Sequence, residues 1–97
     1  MPVSDITDRA AVLAAMAEHD ALGKEDFLKR YGFREATKFW VEHLGRRYSS
    51  KALLGVAHGK QYPSRGCLRP TDFSGGAQTV ERLQALGFRV IQIPDGA

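Results

Sequence analysis

The sequence predicts a small α+β domain, with helices packed on a short three-stranded antiparallel sheet in the order α-α-β-β-α-α-β. Three observations predict it. Alanine-rich and charged stretches with three- and four-residue apolar spacing open the chain. An aromatic and β-branched run, "KFWVEHLGRRYSS", follows and folds back at Leu44-Gly45. A helical pattern then closes in Leu86-Gly87-Phe88 and leads into the strand-like "RVIQI".

Asp5 to Leu22 reads as the first helix. Ala10, Leu13, Ala14, Ala17 and Ala21 recur on one helical face, Asp5, Thr7 and Asp8 suit its start, and Gly23 suits its end. "GKEDFLKRYG" reads as a short second helix, with Glu25 and Asp26 in its first turn and Phe27, Leu28 and Tyr31 as its apolar side. In the strand pair, Phe39, Val41 and His43 share one face and Trp40 and Glu42 the other, with Arg46, Arg47 and Tyr48 on the return strand. Ser49 or Ser50 caps a third helix, "SKALLGVAHG", which ends at Gly59 and packs through Ala52, Leu53, Val56 and Ala57. "KQYPSRGCLRP" reads as a loop.

The fourth helix is expected to take Ser74 as its cap, with Gly75 and Gly76 as its first helical positions. Ala77, Val80 and Leu83 or Gln84 give its spacing. Gly87 stands where a left-handed residue closes a Schellman ending, with Leu86 at the C-cap and Phe88 packing back on Leu83. "RVIQI", stopped by Pro94, joins the hairpin, because two strands alone are marginal.

Ninety-seven residues make one domain, residues 1–97, with room for one modest core. No apolar run approaches the roughly 20 residues of a membrane span, so no membrane partner is expected. The N-terminus carries acids and no basic leader, which does not read as a signal peptide and points to the cytoplasm. The single cysteine, Cys67, excludes an internal disulfide and argues against a cysteine-ligated zinc site. The net charge of +3 hides an uneven distribution. Residues 1–23 hold Arg9 against Asp5, Asp8, Glu18 and Asp20. Residues 36–70 hold Lys38, Arg46, Arg47, Lys51, Lys60, Arg65 and Arg69 against Glu42 alone. Such asymmetry is either the footprint of a polyanion partner or a well-solvated surface.

Patterns for catalysis are thin. His19, His43 and His58 are scattered, without metal-ligand spacing on one helix. His58 and Cys67 could meet as base and nucleophile, but a loop cysteine and a helix-end histidine are common without that role. Gly75 and Gly76 are not followed by Gly-Lys-Ser/Thr and are not preceded by a strand, which excludes a Walker loop and a dinucleotide fingerprint. No catalytic residue, metal or cofactor is expected.

Patterns for nucleic acid are richer. Arg46, Arg47, Tyr48, Ser49, Ser50 and Lys51 are consecutive at the hairpin and the following helix start. Paired arginines offer bidentate forks to phosphate or guanine, and a serine-led helix start offers hydroxyls and amides to a phosphate. The bland reading is an exposed strand and an ordinary N-cap worth about 1 kcal/mol. Ser74, Gly75 and Gly76 form a second such start. Glycine there costs a helix up to about 1 kcal/mol, so close approach of a phosphate or of the Tyr48 strand is the expected offset. Lys38, Lys60 and Arg65 would add longer-range attraction. Trp40 is either a stacking platform or core, and Tyr62 is the better exposed aromatic.

"AVLAAMAEHDALGKEDFLKRYGF", "RRYSSKALLGVAHG" and "TDFSGGAQTVERLQALGF", in that order, resemble the N-terminal head domain of McrA-type, modification-dependent HNH restriction endonucleases. The family's Asp-x-Leu-Gly, Tyr-Gly-Phe, Gly-(Lys/Arg)-x-Tyr-x-Ser-Lys and Asp-Phe-Ser-Gly-Gly all have counterparts between about residues 8 and 93. The resemblance implies a DNA-facing accessory module of a restriction system that cuts modified foreign DNA. In such proteins the nuclease motif and the reading of the modification lie in other domains. DNA, most simply duplex, with or without modification, is therefore the expected partner, together with other domains of a parent endonuclease. The alternative is a protein–protein or interdomain docking domain that uses the apolar face around Trp40 and Leu44. A third reading is a small nuclease using His58 or His43.

Overall fold

The computed structural model describes residues 2–92. Four helices and three strands lie among them in the expected order: α1 (Arg9–Leu22), α2 (Lys24–Tyr31), β1 (Phe39–His43), β2 (Arg46–Ser49), α3 (Ser50–Gln61), α4 (Ala77–Ala85) and β3 (Arg89–Gln92). Short 3-10 turns occupy Pro2–Asp5 and Pro70–Asp72. The sheet order is β2-β1-β3, antiparallel throughout. Val41 is paired with Tyr48 on one side and Val90 on the other, and this row faces the helices. Trp40, beside Ser49 and Ile91, lies on the outward face with Glu42, Arg47 and Arg89. Trp40 is half-buried there and is not part of the core cluster.

The core is organised around α3. Ser50, Ala52, Leu53, Leu54, Gly55, Val56, Ala57 and His58 are all buried, so this helix has almost no solvent face. It packs on α1, α2, α4, β1 and β2. Two glycines one turn apart allow the closest approaches. A Cβ on Gly55 would stand 2.6 Å from Phe33 Cζ and 3.1 Å from the Leu68 carbonyl oxygen. A Cβ on Gly59 would stand 2.5 Å from Cys67 Sγ and 2.8 Å from Cys67 N. The Leu68 amide donates to Gly55 O at 3.0 Å, which ties this loop to the helix.

Several local expectations are corrected. The first helix begins at Arg9 rather than Asp5, because Asp8 is its N-cap and accepts from the Ala10 amide at 2.9 Å. The Thr7 and Asp8 amides donate instead to Gln61 Oε1, at 3.0 and 3.1 Å, and Tyr62 Oη donates to Asp5 O at 2.7 Å. These ties to the end of α3 hold the chain out of the helix. The buried face of α1 is Ala11, Val12, Ala15 and Met16, while Ala10, Leu13, Ala14, Ala17 and Ala21 face solvent. Alanine stands on every side of this helix, so the larger Val12 and Met16 choose the face. The third helix passes through Gly59 to Gln61, since that glycine makes room for Cys67 instead of ending the helix.

The fourth helix starts at Ala77, with Gly76 as its N-cap, so neither glycine is helical. Ser74 explains the shift. Its Oγ accepts from the Gly76 amide at 3.1 Å, and its carbonyl accepts from Thr79 Oγ1 at 2.6 Å. The other end follows expectation: the Gly87 amide donates to Gln84 O at 2.9 Å and the Phe88 amide to Leu83 O at 3.0 Å, a complete Schellman pair. Ile93 and the expected Pro94 stop lie outside the described residues.

The hairpin turns through Leu44 (φ 50°) and Gly45 (φ 79°), with His43 paired to Arg46. Positive φ at both central residues is the type I′ arrangement that favours Asn-Gly. Leucine in that region costs roughly 1–2 kcal/mol.

Alanine at an ordinary mid-helix glycine stabilises by about 1 kcal/mol. At Gly55 and Gly59 the sign should reverse. Gly55→Ala and Gly59→Ala are each expected to destabilise by about 1–3 kcal/mol through overpacking. The urea midpoint of each variant measures this.

Candidate nucleic-acid interface

An open groove of about 670 Å³ runs between the segment from Gly32 to Phe39, the start of α3 and the loop before α4. Arg34, Lys38, Ser50, Lys51, Gly75 and Gly76 are among the residues that line it. Two helix starts therefore meet here, and neither Ser49 nor Gly76 caps its helix through a side chain. Helix starts carry partial positive charge. Lys51 Nζ donates to Pro70 O at 2.6 Å and has two further protons to offer. Its stem lies against Gly75, where an added Cβ would meet Lys51 Cδ at 3.4 Å, an ordinary contact. The nearest atoms to Gly76 belong to Ser74. The Tyr48 strand does not approach either glycine, so packing against that strand is not their role.

The cations of the hairpin and of the far end of α3 differ from those of the groove in their pairing. Arg46 lies 3.3 Å from Asp20, Arg47 lies 3.8 Å from Glu42, Lys60 pairs with Glu18, and Arg65 lies 3.0 Å from Asp5. Arg34 and Lys38 have no ion-pair partner among the described residues, and Glu35 on the groove wall is taken by Lys24 at 2.7 Å. Among the sequence candidates, the structure brings together Lys38, Ser50, Lys51, Gly75 and Gly76, with Ser74 adjoining. It leaves Arg46 and Arg47 on the hairpin. Lys60 and Arg65 stand toward the far end of α3, with Lys60 about 13 Å along the helix from Lys51 at 1.5 Å per residue. Arg34 is not among the sequence candidates. It lies just outside the basic stretch 36–70, so counting charge in that stretch passes over it.

Three candidates face inward. Tyr48 is buried, and its hydroxyl donates to Asp20 at 3.1 Å. Ser49 and Ser50 are buried as well. Ser49 Oγ accepts from the Ala36 amide at 3.0 Å, and Ser50 Oγ donates to Phe39 O at 3.0 Å. Those two bonds fasten the groove's outer wall to α3. The three residues shape the site from behind, and their hydroxyls are already engaged.

The family model described as "ScoMcrA-like, N-terminal head domain" matches residues 4–92. The chain belongs to this family. The head domain is also similar to a solved structure, that of the Type IV phosphorothioation-dependent restriction endonuclease ScoMcrA. The identity is 35% and the TM-score 0.65. That match covers 91% of this chain and 13% of the other, so the head domain corresponds to a small part of the endonuclease. No curated protein matches the sequence. Among the described residues, no helix is long and apolar enough to cross a membrane.

His58 and His43 both sit in packed surroundings. His58 is buried with Nδ1 2.8 Å from Gly66 O, and His43 packs its ring edge-on against Phe88. A carbonyl acceptor requires that Nδ1 of His58 carry the proton. Burial pushes the Cys67 thiol pKa up, the opposite of what an activated nucleophile needs.

Carboxylates instead hold the far side of the domain together. Burial alone would raise the Glu18 pKa, but hydrogen bonds from Lys60 and Tyr31 and the nearby positive charges outweigh it and hold the carboxyl low. At Asp20, burial is likewise outweighed by hydrogen bonds from His19 and Tyr48 and by the Arg46 charge. Both carboxylates stabilise the fold above the ordinary carboxylate range, and that contribution is lost as pH falls through their lowered pKa values. Tyr31, which donates to Glu18, is pushed up to about 12 by its own burial and then by that carboxylate. A raised pKa stabilises fully below the unfolded tyrosine value near 10 and is lost as pH rises toward 12. Tyrosinate absorbance should therefore show a component ionising at about 12, which Tyr31→Phe removes.

Proposed function

We propose that this chain is a DNA-binding accessory module of a modification-dependent restriction system, without catalysis of its own, that holds duplex phosphates in the groove between α3 and α4. The observation that carries this reading is the pair of uncompensated cations, Arg34 and Lys38, facing Lys51 and the Gly75-Gly76 backbone across one open groove. Phosphate contacts of this kind are sequence-independent and salt-dependent, and they fix orientation without reading bases. Arg46 and Arg47 add a second contact area, each exchanging a carboxylate partner for phosphate. Lys60 and Arg65 contribute only to the long-range field. The module works in the cytoplasm, where foreign DNA arrives, beside nuclease and modification-reading domains of a parent endonuclease.

The docking alternative has less support. Trp40 and Leu44, the residues it would join, are separated along β1 by Glu42, which lies 3.8 Å from both Arg47 and Arg89. An ion cluster therefore interrupts the apolar surface that reading requires.

Reversing both groove cations, Arg34→Glu with Lys38→Glu, is expected to weaken duplex binding strongly. The slope of log K against log salt should fall by about 2, at roughly 0.9 for each phosphate no longer neutralised. Reversing Arg46 and Arg47 should cost less, because their carboxylate partners already compete with phosphate. Phosphorothioate and unmodified duplexes should bind alike. Fluorescence anisotropy at several salt concentrations measures all of these. A larger effect from the hairpin pair than from the groove pair would move the phosphate site to the hairpin.

A further inference from the structure

Leu44 combines two features that nothing inside the domain explains. It is 88% exposed, the most exposed large hydrophobic side chain among the described residues. It also holds φ at 50°, a conformation in which a bulky non-glycine residue is an outlier. A single exposed leucine would need no explanation, and neither would an asparagine at this turn position. Leucine here forfeits both burial and backbone comfort. Strain that persists without a folded-state benefit points outward, to something the tip meets.

The setting of the tip narrows what that is. Leu44 caps a two-stranded arm: His43 precedes it, Gly45, Arg46 and Arg47 follow it, and both arginine side chains are more than half exposed. The same β1 strand starts at the phosphate groove, where Phe39 is part of the lining. From Phe39 to Leu44 the arm reaches about 17 Å at 3.4 Å per residue. An apolar tip beside two exposed arginines suits a polyanion with apolar faces inside it, which is the make-up of a stacked base step behind two phosphate rows. Leucine is among the side chains that enter such steps, partly unstacking them and bending the duplex.

We infer that Leu44 is an apolar wedge that enters a base step of duplex DNA while the neighbouring arginines hold the flanking phosphates. The inference rests on the DNA-binding reading above and adds a local distortion of the DNA to it. Pyrimidine–purine steps, which unstack most easily, are the favoured sites.

The test uses the full 97-residue chain and a duplex with 2-aminopurine beside a central TA step, whose fluorescence rises on unstacking. Wild-type protein should bind and raise the fluorescence. Leu44→Asn relaxes the turn, so its melting temperature should rise. It should bind with an unchanged salt slope and lose the fluorescence rise. Leu44→Met, an unbranched apolar replacement, should keep the rise. Wild-type binding without a rise, or an equal rise with Leu44→Asn, overturns the wedge and leaves the phosphate groove standing. Either result would favour a protein contact at the tip. Failure of the wild-type chain to bind duplex at all overturns both proposals.

Discussion

The fold depends on one helix being surrounded. Helix α3 is buried from Ser50 to His58 except at Lys51, so the elements packed on it, α1, α2, α4, β1 and β2, are positioned by how closely they can approach this helix. Gly55 and Gly59 set that distance on one side, where the chain from Cys67 to Leu68 rests on the helix backbone. Ser49 and Ser50 set it at the N-terminal end, where they anchor the groove wall through Ala36 and Phe39. Gln61 and Tyr62 do the same at the C-terminal end, where they gather the residues before α1. A helix fixed this firmly presents its first turn to the groove with little freedom to move. Preorganisation of that kind lowers the entropy cost of holding a ligand.

Charge pairing separates structure from interface. Three of the four acids of residues 1–23 are counterions of the basic stretch: Asp5 meets Arg65, Glu18 meets Lys60, and Asp20 meets Arg46. The charge asymmetry along the sequence is thus folded largely back on itself. Of the cations without an ion pair among the described residues, Arg34, Lys38 and Lys51 share one groove, beside a glutamate that Lys24 already occupies. Exposed ion pairs are each worth at most about 1 kcal/mol, so a phosphate can displace them, but a cation without a partner gives up nothing when phosphate arrives. The proposed phosphate site is placed in the groove for this reason, although the hairpin holds the denser run of arginine.

Much of this was legible in the sequence, and the failures have physical causes. The element order, the Leu44-Gly45 turn and the Schellman ending at Gly87 follow from local chemistry, which acts the same way in any surroundings. The core face of α1 was not legible, because alanine on every side carries almost no directional signal. Gly59 reads as a stop on local rules and is instead a packing site, which only the distant Cys67 reveals. The serines show the same limit at the site. Ser49 and Ser50 have the right chemistry for a phosphate, and tertiary hydrogen bonds to Ala36 and Phe39 take it first. The Gly75-Gly76 pair lines the groove but has lost its expected place in the helix.

A weak phosphate grip is sufficient for the proposed role, and the arithmetic explains why. Non-specific protein–DNA binding has dissociation constants of roughly 10⁻⁴ to 10⁻⁶ M at physiological salt. A module joined to another DNA-bound domain by a short flexible linker experiences an effective concentration on the order of millimolar. The ratio of the two gives an avidity gain of roughly tenfold to a thousandfold with no base contact by the module. A few phosphate contacts from Arg34, Lys38 and Lys51 fall within that range. Stronger binding would be harmful, because a tight sequence-independent grip would hold an endonuclease on every duplex it met. On the proposed reading, the carboxylates at Asp20 and Glu42, which lie beside Arg46 and Arg47, would keep the hairpin from supplying that excess.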